Sequence, residues 1–150
     1  MSYFNPHDLP GGAERVAWAE AEILSEDREV AFVSASRPAG SPPFAQHRLG
    51  GWTRPLYRPE GSPRSTVVLA VFHLLSVFNP VVLFEALAFF RRWRPAFVHT
   101  HNLIALSPAV WLAARLSGAR VVHTHHDLWL LCERATMTLE DGTPCGEPRK

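Results

Sequence analysis

Five of the eight histidines in this 150-residue chain fall in two short segments, Phe97-Val-His-Thr-His-Asn102 and Val121-Val-His-Thr-His-His-Asp127. Imidazole titrates at about 6.5, so it can serve as general base, hydrogen-bond donor or metal ligand. Each segment begins apolar and turns polar, as a buried strand does on reaching its C-terminal end. Two chemistries suit that pattern. Polar groups at strand tips can orient a substrate hydroxyl and stabilise charge that develops on a leaving group. Alternatively, neutral imidazoles with a carboxylate suit zinc. His123, His125 and Asp127 read as His-x-His-x-Asp, and His99 and His101 would be available as further ligands.

The elements that must position these residues follow from the chain between them. Leu106-Ser-Pro-Ala-Val-Trp-Leu-Ala-Ala-Arg-Leu-Ser-Gly118 reads as a helix, with Ser107 as N-cap, Pro108 in the first turn and Gly118 placed to end it. Strand, helix and strand over roughly 30 residues make a βαβ unit, so the two strands are expected to be parallel and near neighbours. Open α/β sheets bind ligands at the C-terminal edge of their strands, where both histidine segments turn polar. Strand alternation puts His99 with His101, His123 with His125, and His126 with Val122 and Thr124. His99 and His123 sit earlier in their strands and are read as structural. His126, at the exit, is the strongest catalytic candidate.

Upstream, Pro10-Gly-Gly-Ala-Glu14 opens a helix running to about Ser25. Ala13, Ala17, Ala21 and Leu24 form its inner stripe, while Glu14, Arg15, Glu22 and Glu26 are free to face water. Gly11 and Gly12 leave backbone N–H groups uncovered at a helix start, where the dipole favours an anion. A tight turn needing positive φ is the plainer reading of the same pair. Glu29–Ser34 is a short buried strand. Residues 37–64 are rich in Pro, Gly and Arg, too long for a simple connection, with Trp52 and Tyr57 as expected anchors and no assigned role. Thr66–Phe90 is almost wholly apolar and long enough to cross a membrane. His73, Glu85 and the central Asn79-Pro80 pair favour two helices meeting at Asn79, ending at Arg91-Arg92 and packed mainly in the core. Arg94-Pro95 breaks the second helix. Asp127–Cys132 is expected to cover the site as a loop or short helix.

Apolar content of 47% and charged content of 19% describe a globular chain of one domain. A formal charge of +1 gives no reason to expect a nucleic-acid partner. The two cysteines, Cys132 and Cys145, make no disulfide framework, and a reducing cytoplasm is the expected compartment. Met1–Asn5 resembles the last residues of a strand, and the chain stops in a loop. Both features are read as those of a piece clipped from a longer protein.

Taken in order, Pro10–Glu14, Asn79-Pro80, Arg94–Asn102 with Leu106-Ser107, and Val121–Cys132 resemble the N-terminal domain of family 4 glycosyltransferases, which have the GT-B fold. The resemblance spans nearly the whole chain. It implies an α/β fold, a Rossmann-like parallel sheet with helices on both faces. The implied activity is a retaining hexosyltransferase, moving a sugar from a nucleotide-sugar donor to a sugar, glycan or lipid-linked acceptor, with no cofactor and no metal. Gly11 and Gly12 would hold the donor diphosphate, and His126 would match the active-site histidine. His101, Asn102 and Asp127 would contribute to substrate binding. The paired-glutamate donor motif belongs to a C-terminal domain absent from this sequence, so the chain alone is expected to be inactive. Glycan biosynthesis in the cytoplasm completes the implied picture, and peripheral contact at the inner face of the cell membrane is the alternative that the apolar Thr66–Phe90 stretch leaves open.

Two other classes compete. A zinc-dependent hydrolase would use the His-x-His-x-Asp cluster, but the metallo-β-lactamase pattern wants a histidine where Leu128 stands. A non-catalytic Rossmann-like binding module would need neither donor nor metal.

Overall fold

The computed structural model describes residues 1–2, 4–8, 11–56, 65–104 and 106–126. Its four strands are short: β1 (Ala31–Ser34), β2 (Ala45–Arg48), β3 (Phe97–Thr100) and β4 (Arg120–His123). β1 pairs in parallel with β2, and β3 in parallel with β4, where Phe97 stands opposite Arg120 and Thr100 opposite His123. Met1 and Ser2 join the two pairs. The Met1 amine donates to His99 O at 2.6 Å, His101 N donates to Met1 O at 2.9 Å, and Ser2 N donates to Val33 O at 3.1 Å. The strand character expected of Met1–Asn5 is thus seen at its first two residues. The resulting order is β2, β1, Met1–Ser2, β3, β4.

Alternation sends consecutive side chains to opposite faces. Phe32 packs with Ala17, Trp18, Ala21 and Phe44 under α1 (Gly12–Leu24). Val33 and Val98 join the larger core on the other face, built with α3 (Pro80–Trp93) and α4 (Ala109–Leu116). Helices on both sides of short parallel strands make the domain α/β and Rossmann-like. Small residues let α3 and α4 approach closely, since Ala86, Ala109, Ala113 and Ala114 are fully buried.

Local chemistry fixes the helix ends. Asn79 caps α3, its side-chain oxygen accepting from Val82 N at 3.1 Å, and Pro80 takes the first helical position. α4 starts one residue later than the capping pattern suggested, with Pro108 in the N-cap position. Ser107 lies ahead of it with φ 61°, and its hydroxyl accepts from both Asn79 N (2.9 Å) and Ala109 N (3.3 Å). One buried hydroxyl therefore ties the starts of α3 and α4 together. Gly118, with φ 87°, ends α4 as expected.

Several expectations are corrected. The 37–64 stretch contains β2 and a 3-10 helix, Gly51–Leu56. β2 escaped notice because three of its four residues are exposed and carry no apolar alternation. Gly50 makes the turn after it: φ is 67°, and an added Cβ would stand 2.6 Å from Leu106 Cδ2. Trp52 is 40% exposed and does not anchor the segment, while Tyr57 lies outside the described residues. On α1, Leu24 is exposed and Glu14 is buried, the reverse of the assigned faces. α2 (Thr66–Val77) is not packed in the core along its length, since Phe72 is its one buried residue.

Loss of the α3 cap is measurable. Asn79→Ala is expected to lower stability by about 1–2 kcal/mol in urea unfolding, and Asn79→Ser, which keeps a neutral acceptor, by clearly less. Equal losses in the two variants would mean that the cap is not what Asn79 supplies.

Candidate functional site

α1 follows Met1–Ser2 and runs back along the sheet, so its N-terminus must lie near the C-terminal ends of the strands. Gly11 is the N-cap, with no side-chain cap of its own. Glu14, three residues on and buried, turns one carboxylate oxygen toward Gly11, and the other accepts from Asn102 Nδ2 at 3.3 Å. A carboxylate is favourable at this end of the helix dipole. Since Asn102 directly follows β3 and His101, the contact places the glycine turn and the first histidine segment on one rim.

Two turns further along α1, Glu20 lies against the same strand. Its Oε2 stands 3.2 Å from His99 Nδ1 and 3.1 Å from His101 Nε2. The remaining nitrogens are also engaged: His99 Nε2 meets Thr124 Oγ1 at 2.8 Å, and His101 Nδ1 meets His126 Nε2 at 2.9 Å. One tautomer set satisfies every contact: each ring donates to Glu20 and accepts on its other nitrogen, from Thr124 or His126. His101 is buried and His126 is exposed, their rings stacked at 5.2 Å. Carboxylate, buried imidazole and exposed imidazole thus form a line from α1 to the rim.

The pairing register explains this selection. His99 stands opposite Val122, so the odd residues of β3 share a face with the even residues of β4. Thr124 and His126 continue that face. His123 points the other way, where its Nδ1 lies 2.9 Å from Thr100 Oγ1, which also accepts from Trp111 Nε1 at 3.0 Å. The further zinc ligands are not brought to the His-x-His-x-Asp segment: His99 and His101 lie across the sheet from His123, whose ring stands 4.4 Å from that of His125. Asp127 lies outside the described residues, as do Asp127–Cys132, Cys132 and Cys145. Among the described residues, the three that could hold a metal are instead Glu20, His99 and His101, whose ligand atoms fall within 4.8 Å of one another.

A cavity of about 500 Å³ reaches from these three residues toward Val30, Ala96 and Phe97. It runs toward the N-terminal ends of β1 and β3, away from the glycine turn, so its size does not mark it as the ligand rim.

The model of Glycosyltransferase Family 4 matches residues 10–142. The chain belongs to glycosyltransferase family 4. Over 68 residues it is 32% identical to an "Uncharacterized 42.6 kDa protein in cps region" of Klebsiella pneumoniae, a match covering 45% of this chain but 18% of that protein. No solved structure matches.

In this family 4 domain, Gly11, Gly12, Asn102, His101 and His126 therefore gather on one side of the sheet. Glu14 and Glu20 were missed by sequence reasoning, though a signal existed. Glu20 comes seven residues after Ala13 and three after Ala17, on the inner stripe itself, while Glu14 precedes Trp18 by four and Ala21 by seven. A carboxylate on the buried side of a helix requires a partner.

Burial, then the positive charges of the Met1 amine and of His99, His126 and His123, push His101 down to about 3. His99 and His123 are lowered too, again first by burial. An unfolded histidine binds its proton at about 6.5, so between that pH and about 3 the unfolded chain binds more protons. The His101 contribution is complete above about 6.5 and is lost as pH falls toward 3. His101→Gln is expected to flatten the fall of the urea midpoint between these limits. An identical pH slope in wild type and variant would show that His101 is not held neutral.

Proposed function

We propose that this chain is the acceptor-side, N-terminal domain of a retaining GT-B glycosyltransferase. It would move a sugar from a nucleotide-sugar donor to a sugar, glycan or lipid-linked acceptor. One observation carries the reading: the Glu14–Asn102 contact brings the glycine turn to the rim where His101 meets His126.

Departure of a nucleoside diphosphate develops negative charge, and fixed donors near that charge lower the barrier. The uncovered N–H groups at the start of α1 supply such donors without reorganisation. Gly12 adds access, for a Cβ there would meet nothing within 4 Å of the protein itself. Glu14 is the element that a diphosphate must tolerate. Its bond to Asn102 draws the carboxylate to the β3 side, and an approaching anion would strengthen that preference.

At the reacting centre the proposal assigns His126 the contact with the transferred sugar. His101 is a positioning residue in this scheme, because it is buried behind His126 and braced by Glu20. Asn102 and Asp127 would complete the acceptor side. A second domain would contribute the nucleotide site, so the chain alone is taken to be inactive. The reading also takes the protein to be cytoplasmic and engaged in glycan assembly, in keeping with its relative named for a cps region.

The test uses the full-length protein. His126→Ala is expected to lower kcat by about 10²–10³ while leaving the far-UV spectrum unchanged. Gly12→Val, at a position with room in the fold, is expected to weaken donor binding by about tenfold or more through blocked backbone approach. Unchanged kcat in the first variant would remove His126 from the chemistry. Unchanged donor affinity in the second would reduce the glycines to a turn.

A further inference from the structure

The apolar residues of α2 and α3 do not all reach the core. Val67, Val71, Leu74, Val77, Phe78, Val81 and Phe84 are between 41% and 72% exposed. Within each helix they recur every three or four residues, opposite Phe72 on α2 and opposite Val82, Ala86 and Phe90 on α3, with Phe78 at the break between the two. An exposed apolar stripe running over two successive helices marks an interaction surface.

By length and composition the stretch Thr66–Trp93 could cross a membrane, but its geometry does not allow it. Phe78 and Asn79 are extended, dividing it into helices of 12 and 14 residues. At 1.5 Å per residue these are about 18 and 21 Å long, short of the ~30 Å hydrocarbon core. The inner side of α3 is also committed to α4 and the sheet. The stripe can lie on a bilayer, not through it.

The charges around it select the kind of bilayer. Arg91 and Arg92 continue the exposed side of α3, and Arg94 follows at its C-cap; all three are exposed. The single carboxylate between residues 66 and 94, that of Glu85, already accepts from Gly50 N at 2.8 Å. Exposed Trp52 shares a recess with Glu85, Ala88 and Arg92, an aromatic suited to the headgroup level. Apolar stripe, bordering arginines and an interfacial tryptophan are the features of an in-plane membrane helix. A twofold pair of chains would set the same arginines near each other, which disfavours self-association through this face.

We propose that α2 and the outer side of α3 attach this domain to the surface of an anionic lipid bilayer, with Val67, Leu74, Val77 and Phe84 in the acyl boundary and Arg91 and Arg92 at the headgroups. Attachment does not rest on the glycosyltransferase reading, because it needs neither donor nor acceptor. It would nonetheless confine catalysis to substrates presented at a membrane.

Flotation with vesicles tests it, comparing phosphatidylcholine alone with an equal mixture of phosphatidylcholine and phosphatidylglycerol. The chain is expected to float with the mixed vesicles and about tenfold less with the neutral ones. Leu74→Glu combined with Phe84→Glu is expected to abolish flotation with an unchanged far-UV spectrum, while Leu116→Glu, on the exposed side of α4, leaves it intact. Arg91→Gln with Arg92→Gln should bring binding to mixed vesicles down to the neutral level. No flotation on either vesicle overturns the proposal, as does flotation indifferent to the glutamates. A concentration-dependent dimer that the same glutamates dissolve, without vesicle binding, assigns the face to a second copy and overturns it as well.

Discussion

Glu20 reaches across from a surface helix to two imidazoles of β3, and much of the site depends on that reach. Without it, His99 and His101 would each keep a polar nitrogen facing a largely apolar cavity, at the cost of an unsatisfied buried group. With it, both rings are held in one tautomer, burial keeping them neutral, and the second nitrogen of each is free for a neighbour on β4 or beyond. His126 is the neighbour that matters, since it carries the line of contacts out to solvent. The same carboxylate fixes how α1 lies along the sheet. That in turn sets where the glycine turn falls.

A second polar contact, Glu14 with Asn102, locks the other end of α1 to the rim. Two bridges six residues apart on one helix leave it little freedom to slide or rotate. The glycine-opened N-terminus is therefore held near His126 by side chains, although the apolar packing of Ala17, Trp18 and Ala21 supplies most of the burial. Polar contacts here define register and hydrophobic ones define adhesion. On the proposed reading, a turn held this way would be pre-organised before a substrate arrives, as differential stabilisation of a developing charge requires.

The opposite face follows a different economy. α3 and α4 interlock through small residues, and Ser107 ties their starts together, so this layer is closely packed. α2 is the exception, an apolar helix held by Phe72 and its contact with the 3-10 helix. A domain that works against a bilayer gains a surface there, on the layer that the His126 site does not occupy.

Much was determined by the sequence itself. Asn79-Pro80 marked the break between α2 and α3, because a capping side chain and a fixed φ act within one turn. The βαβ reading of residues 97–123 and the parallel pairing followed from local pattern and connection length. Alternation within each histidine segment was equally local. What only the tertiary structure decided was the offset between neighbouring strands: His99 faces Val122, so His99 and His101 share a side with Thr124 and His126 and are separated from His123. A shift of one residue would have exchanged these sets, and nothing in either segment encodes it. Helical spacing could put Glu20 and Glu14 on the buried side of α1, but their partners were fixed only once α1 was laid on the sheet, and β2 only once β1 offered it an edge. Periodicity reports which way a side chain points along its own element, whereas a site depends on what another element brings to meet it.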